Sequence, residues 1–377
     1  MPERVLSFAP GPSILPDDVL RKYADSIHRY TDTGLGILEL GHRSTQFEEL
    51  YTSTIERLQL LLGVPAGYEL LMLHGGARFQ FTMLPANHLP DTGVADYLVT
   101  GHFGLAAASE AAPYGHVHVA ASTQDDAFLR LPACDEISYA PATRYVHYTS
   151  NNTEMGTQYR RPPTAPAGAW LACDASSDLL TRRFRINEHG IIYATSHKNL
   201  GTAGVALVIV REDLLEPVRQ LPPFMSYATH AKSLSRFNTP PVSAIYVLSL
   251  MAEWTAERGG VDRMAADAAT KSQLLYELID DSDFYTGLAS RADRSPVNVT
   301  FALATAELEA EFQTAAAERG LVGLWGYRKV GHLRASLFNA ISVDAVHRLA
   351  EFMTDFANAN RRTLPPQHSL PHAQDWP

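Results

Sequence analysis

Three short stretches of the 377-residue sequence hold residues that could do chemistry together. The first is Leu73-His74-Gly75-Gly76-Ala77-Arg78-Phe79-Gln80, where an apolar run gives way to small residues and then to a helix-like pattern. Backbone N–H groups left bare at such a helix start can bind a phosphate, and Arg78 adds charge. The second is Trp170-Leu171-Ala172-Cys173-Asp174-Ala175-Ser176-Ser177, with an acid at the carboxyl end of an apolar run. Open α/β sheets bind ligands at that edge. The third runs from Ile191 through Ser196-His197-Lys198-Asn199 to Gly201, and places a lysine directly after a buried-looking strand. Taken alone, each has a structural reading: a tight turn that needs glycine, a helix-capping aspartate, a lysine leaving the core. The chemical reading of Lys198 is a Schiff-base amine, which needs partial desolvation and a phosphate and an acid nearby.

In combination the three meet the needs of one cofactor. Pyridoxal 5'-phosphate requires a phosphate cradle, an acid beside its pyridine nitrogen and a lysine for its aldehyde. Those parts occur in that order, each at the end of a predicted strand.

The elements that must position them are short apolar runs alternating with helical patterns. Predicted strands are 69–73, 96–99, 116–120, 145–149, 170–173, 191–194 and 205–210. Several are continuously apolar, as in strands covered on both faces, and strands alternating with helices imply a mostly parallel seven-stranded sheet. The last third predicts a small α/β unit. A helix over 241–257 stops at Gly259-Gly260, a strand follows at 297–303, and Thr305 caps a helix running to Gly320. A strand over 333–338 and an amphipathic helix through Val346, Leu349, Met353 and Phe356 complete it. The expected division is a large cofactor-binding domain, 16–230, a small domain, 231–360 with the N-terminal segment 1–15, and a Pro-, His- and Gln-rich extension, 361–377.

Bulk properties narrow the partners. Hydrophobic residues make up 46% and charged residues 19%, as in a packed globular protein. A net charge of −10 argues against nucleic acid as the main partner, but a few local arginines can still hold a small anion. Two cysteines make no disulfide framework, and neither a signal peptide nor a membrane-spanning run is expected, so a cytoplasmic protein is. No metal site is expected.

Longer motifs carry a resemblance. They are Phe8-Ala9-Pro10-Gly11-Pro12, Gly41-His42-Arg43, His74 to Phe81, Tyr145-Val146-His147-Tyr148 with Asn151-Asn152-Thr153, Cys173 to Ser177, His197-Lys198-Asn199, Phe237-Asn238-Thr239-Pro240-Pro241, and Gly331-His332-Leu333-Arg334-Ala335-Ser336. With them the sequence resembles the phosphoserine aminotransferases over nearly its whole length. The resemblance implies a fold type I pyridoxal-phosphate-dependent transferase, a homodimer with shared active sites, amino-acid and keto-acid substrates and a place in serine biosynthesis. It implies that Lys198 bonds the cofactor aldehyde and Asp174 pairs with the pyridine N–H. Thr153 would lie near the phenolic oxygen, and Phe103 would stack on the ring. Ala77, Arg78 and His197 would hold the phosphate, with Asn238 and Thr239 reaching it from the partner subunit. Arg334 would grip the α-carboxylate, and His42, Arg43 and Arg328 the distal anion.

The sequence departs from the family pattern inside this site. Tyr327 stands where a histidine usually precedes Arg328, His197 where a glutamine usually precedes the lysine, and Phe103 where a tryptophan stacks. Ala77 and His332 each stand for a glycine, and Pro10 for a small residue. A tyrosine offers a neutral hydroxyl where a histidine can be cationic, so Tyr327 bears on which distal anion is bound. The leading expectation is phosphoserine:2-oxoglutarate aminotransferase. The alternatives are an aminotransferase for a related phosphonate, sulfonate or dicarboxylic keto acid, and a non-catalytic pyridoxal-phosphate-binding protein.

Overall fold

The structure is a computed structural model that describes residues 4–327 and 331–361. Its centre is a seven-stranded sheet: β1 Tyr68–Gly75, β2 Val94–Val99, β3 His116–Ser122, β4 Tyr145–Thr149, β5 Trp170–Asp174, β6 His189–Thr195 and β7 Gly204–Arg211. The spatial order is β1-β7-β6-β5-β4-β2-β3, with β7 alone running against its neighbours. All seven expected strands are present, and the sheet is mostly parallel as anticipated.

Continuous apolar runs suit such a sheet because successive side chains face opposite sides. In β1, Leu70 and Met72 join the core on one face with Leu58 and Leu248, whereas Leu71 and Leu73 join the other with Phe81 and Leu84. The first face is covered by α2 (Thr45–Leu62) and α6 (Val242–Glu257), the second by α3 (Ala77–His88) and α4 (His102–Ala111). Earlier in the chain lies α1 (Asp17–His28), and the short α5 (Tyr227–Lys232) precedes α6.

A three-stranded sheet of β8 Thr286–Gly287, β9 Asn298–Ala302 and β10 Leu333–Ser336 builds a separate core with α7 (Gly260–Asp280), α8 (Ala306–Glu318) and α9 (Val343–Asn360). Thr305 caps α8 as expected, its side chain accepting from the Leu308 N–H at 3.2 Å. Leu6–Ser7 pairs with Leu321–Val322 and ties the N-terminal segment to this core.

The helix α7 was not anticipated. Gly259 and Gly260, at φ 97° and 70°, end one helix and let the next begin at once. The buried stripe Val261, Met264, Ala268, Leu275 and Ile279 is interrupted by Lys271, which hides the period. Lys271 is nonetheless buried, donating to the carbonyls of Leu337, Phe338 and Ile341 at 2.8, 3.0 and 3.0 Å. Its three ammonium hydrogens are thereby satisfied. Residues 362–377, most of the expected extension, lie outside the described residues.

Three buried histidines tie the stability of this fold to pH. His147 and His189 stand on β4 and β6 with ring nitrogens 2.7 Å from the hydroxyls of Tyr193 and Tyr148. His88 stacks on Tyr227 with ring centres 5.8 Å apart. Burial lowers their pKa values from 6.5 to about 3 for His88 and His147 and about 4 for His189. Below pH 6.5 the unfolded chain takes up protons that the fold refuses, so stability is full above that pH and falls as it drops toward 4. Urea midpoints across pH 7 to 4 are expected to decline, and in His88→Phe the decline should be shallower by roughly 1 kcal/mol per pH unit. An unchanged slope in that variant would show that His88 is not held neutral.

Candidate active site

The chain runs outward in opposite directions from the junction of β2 and β4, which opens a crevice at the carboxyl ends of the parallel strands. Into it come Phe103 just after β2, Thr149, Asn151 and Thr153 at and after β4, Asp174 at the end of β5, and Thr195, His197 and Lys198 at and after β6. Gly76, Ala77 and Arg78 close it from the start of α3. The cleft has a volume of about 170 Å³.

Lys198 Nζ donates to Thr153 Oγ1 at 3.1 Å and stands 5.8 Å from the centre of the Phe103 ring. Burial pushes its pKa down, and the charges of Asp174 and Glu154 pull it partly back. Asp174 is buried, with Oδ1 accepting from the Ser176 N–H at 3.0 Å. Burial pushes its pKa up, and the Ser176 contact and the Lys198 charge oppose that rise. The turn carrying Lys198 is braced by the N-terminal segment. The Ser13 N–H donates to the His197 carbonyl at 3.0 Å, and the Ser13 hydroxyl donates to the Lys198 carbonyl.

These residues fit pyridoxal phosphate. α3 begins at Ala77 behind Gly76 with no side chain capping its N–H groups, so a phosphate can take that place. Asp174 is a buried acid with no cation within ion-pairing distance among the described residues, as a ring N–H partner should be. The Thr149 hydroxyl, also lining the cleft, is buried without a hydrogen-bond partner.

Arg334, on β10, is buried, and its Nη1 donates to the Thr153 carbonyl at 3.1 Å. Its Nε has no hydrogen-bond partner, and burial lowers its pKa to about 10. A buried guanidinium with no carboxylate within ion-pairing distance among the described residues is a place prepared for an external anion. Arg334 also lines a second, open cleft with Pro10, Tyr327 and His332.

A buried polar network fixes β10 against the cofactor cleft. Asn151 Nδ2 donates to Ser177 Oγ at 2.7 Å and to Asn298 Oδ1 at 2.8 Å, and Asn298 Nδ2 donates to Ser336 Oγ at 3.0 Å. Ser295 Oγ donates to Asn151 Oδ1 at 2.5 Å. Ser336 lies two residues from Arg334 on the same strand, so the network sets where the guanidinium sits relative to Asp174 and Lys198.

Lys198, Asp174, Thr153, Phe103, Ala77, Arg78 and His197 therefore share one cleft, with Arg334 joined to it through Thr153. Arg78 lies at its rim, mostly exposed and paired with Glu110 at 2.5 Å instead of pointing inward. His197 Nδ1 is 2.7 Å from the Thr195 hydroxyl, and burial lowers its pKa to about 4, so the ring is neutral at pH 7. His42, Arg43, Asn238 and Thr239 do not line this chain's cleft. Asn238 Nδ2 lies 3.3 Å from His74, with its Oδ1 buried and unpartnered. Tyr327 lies against His102, with ring centres 4.9 Å apart, and Arg328 lies outside the described residues. Sequence reasoning did not single out His102, Glu154, Asn298 or Ser295. Glu154 follows the flagged Asn151-Asn152-Thr153 directly, and an acid in that otherwise uncharged exit was the available signal.

Such an arrangement belongs to the pyridoxal-phosphate-dependent aminotransferases of fold type I. The Aminotransferase class-V family matches residues 5–349. Phosphoserine aminotransferase from Geobacillus kaustophilus is 43% identical over 356 residues, covering 94% of this chain and 98% of the relative. That from Nitrosomonas europaea is 39% identical, with 94% and 98% covered. The solved phosphoserine aminotransferase from Bacillus circulans subsp. alkalophilus is 40% identical and superposes with a TM-score of 0.92, covering 95% of this chain and 99% of that one. A structure of the enzyme from Trichomonas vaginalis with PLP bound gives 30% identity and a TM-score of 0.88, covering 93% and 100%. The chain belongs to the class-V aminotransferases and, within them, to the phosphoserine aminotransferase family.

The buried network generates a direct test. Asn298→Ala removes the link between Asn151 and Ser336, and each lost hydrogen bond to a buried partner costs about 1–3 kcal/mol. The variant is expected to melt earlier, to keep its cofactor absorbance and to show a raised KM for its amino donor. A normal KM would separate the network from the placement of Arg334.

Proposed function

We propose that this enzyme transfers the amino group between glutamate and 3-phosphohydroxypyruvate, giving phosphoserine and 2-oxoglutarate in serine biosynthesis. The observation that carries the reading is Arg334, a buried guanidinium with a free Nε, joined through Thr153 to the lysine of the cofactor cleft.

When bound, pyridoxal phosphate supplies an aldehyde that takes up an amine and a ring that accepts the electron pair released at the substrate's α-carbon. The protein's own groups do the rest. The bare N–H of Ala77, with His197 beside it and Arg78 at the rim, would hold the phosphate, and Phe103 would cover the ring. Asp174 keeps a proton on the pyridine nitrogen. Lys198 would hold the cofactor through its amine and, when that amine is free, take the α-proton of the amino donor. Burial, by lowering its pKa, favours the neutral amine that this exchange needs. Thr153 orients the Lys198 nitrogen and, through its carbonyl, Arg334, which clamps the α-carboxylate.

His42, Arg43 and Arg328 would receive the distal anion, and Tyr327 precedes Arg328 in the sequence. Tyr327, whose ring packs against His102 where the family has a histidine, favours a second reading, a related phosphonic, sulfonic or dicarboxylic keto acid. We further propose a cytoplasmic homodimer, in which Asn238 and Thr239, outside their own chain's cleft, complete that of the partner. Exposed Phe224, Leu234 and Phe237 near them are suited to such an interface. Large and small domains over 16–230 and 231–360, the latter with 1–15, are the division that goes with this reading. No helix among the described residues is long and apolar enough to cross a membrane.

Adding glutamate to the purified holoenzyme is expected to bleach the aldehyde absorbance, and 3-phosphohydroxypyruvate to restore it faster than other keto acids do. No preference for that keto acid would favour the second reading, and no bleaching would favour a non-catalytic binding protein. Arg334→Lys, which loses the planar fork, should reduce kcat/KM for glutamate roughly tenfold to a hundredfold. An unaffected kcat/KM would remove Arg334 from the α-carboxylate site.

A further inference from the structure

Glu154 is a carboxylate with a completely buried side chain, next in sequence to Thr153, which contacts both proposed cationic groups of the site. Oε1 accepts from the His102 N–H at 2.8 Å, at the first residue of α4. Oε2 is buried and has no hydrogen-bond partner, and neither has His102 Nδ1, which lies 3.9 Å from Oε1. The residue before α4, Gly101, offers no capping side chain. A Cβ there would stand 2.6 Å from Asn152 Oδ1 and 2.7 Å from Glu154 Oε1. Glycine thus leaves the gap through which Glu154 reaches the helix end, where a negative charge is favoured. The next residue on α4 after His102 is Phe103, whose ring faces Lys198.

The residue before Glu154 supplies the other contacts. Thr153 takes the Lys198 ammonium on its hydroxyl and the Arg334 guanidinium on its carbonyl. The charge of Glu154 acts on both cations, raising the pKa of each against the effect of burial. Asp174 and Asp178 also raise that of Lys198, and Arg334 lowers it.

We propose that Glu154 is a positioning and specificity-determining residue. Its carboxylate anchors the helix that carries Phe103 and, as a resident counter-charge to Arg334 and Lys198, sets how tightly the site holds an anionic substrate. The inference rests on the proposed roles of Lys198 and Arg334 and adds to them a third buried charge. A capping role alone would need only an acceptor atom at the helix end. The charge is what weakens the pull of two desolvated cations on a carboxylate, so that substrate binds without becoming trapped.

The two roles separate in Glu154→Gln, which keeps an oxygen acceptor for the His102 N–H and removes the charge. In the full-length holoenzyme this variant is expected to lower KM for glutamate on the order of three- to tenfold. The pH midpoint of its visible cofactor absorbance should move to lower pH by about half a unit or more, because a negative neighbour favouring the protonated Lys198 nitrogen is gone. Glu154→Asp keeps the charge but reaches less far, so it should hold the midpoint and lose kcat as α4 and Phe103 loosen. An unchanged midpoint and KM in Glu154→Gln would overturn the counter-charge. If that variant does not fold, a midpoint shift in Glu154→Asp would overturn it equally. The midpoint does not depend on the keto acid, so a wild-type enzyme with a titrating band but no turnover of 3-phosphohydroxypyruvate would count against the substrate assignment alone.

Discussion

The site depends on opposite charges held out of water without a direct bond between them. Lys198 and Asp174 emerge from the ends of neighbouring strands, and burial pushes their pKa values toward each other, the amine down and the acid up. Each is held by a neutral or backbone partner, Thr153 for the amine and the Ser176 N–H for the acid. A salt bridge between them would lock both groups. Separation leaves both groups free to engage a ligand in the cleft that the bare start of α3 also lines. The parallel sheet makes this possible, because it delivers several strand ends to one edge and leaves a crevice where the chain changes direction.

Thr153 is the joint through which the two cores of the molecule share this site. Its hydroxyl meets Lys198 and its carbonyl meets Arg334 on the small sheet. Behind it, the buried Asn151, Asn298, Ser295 and Ser336 network holds that sheet in place. An apolar contact surface could slide, whereas paired amides and hydroxyls have one satisfactory register. Glu154 continues the same segment and brings charge where the network brings geometry. One short stretch after β4 thus arranges the proposed cofactor lysine, the proposed carboxylate clamp and the helix bearing Phe103.

Much of this was legible in the sequence. The seven strands of the large sheet announce themselves as apolar runs because both faces are covered, and Asp174 and Lys198 stand out as charges ending such runs. Lys271 shows the opposite case. A lysine in the middle of a buried helical stripe reads as a solvated residue, and its three carbonyl partners come from a segment nearly seventy residues away, so α7 went unseen. Arg78 was expected to face the cleft from its place in a motif, but motif position does not fix a rotamer, and the side chain meets Glu110 instead. His102 and Glu154 escaped notice because their meaning lies in a contact between two strand exits, which no local pattern encodes.

Every proposed role in the site depends on Lys198 being the residue that carries the cofactor. Borohydride reduction of the native holoenzyme, followed by proteolysis and mass spectrometry, fixes the cofactor covalently to whichever amine holds it. The added mass is expected on the peptide containing Lys198 and nowhere else. Its appearance on another lysine, or its absence from a protein that shows the cofactor absorbance, would contradict the assignment of this site.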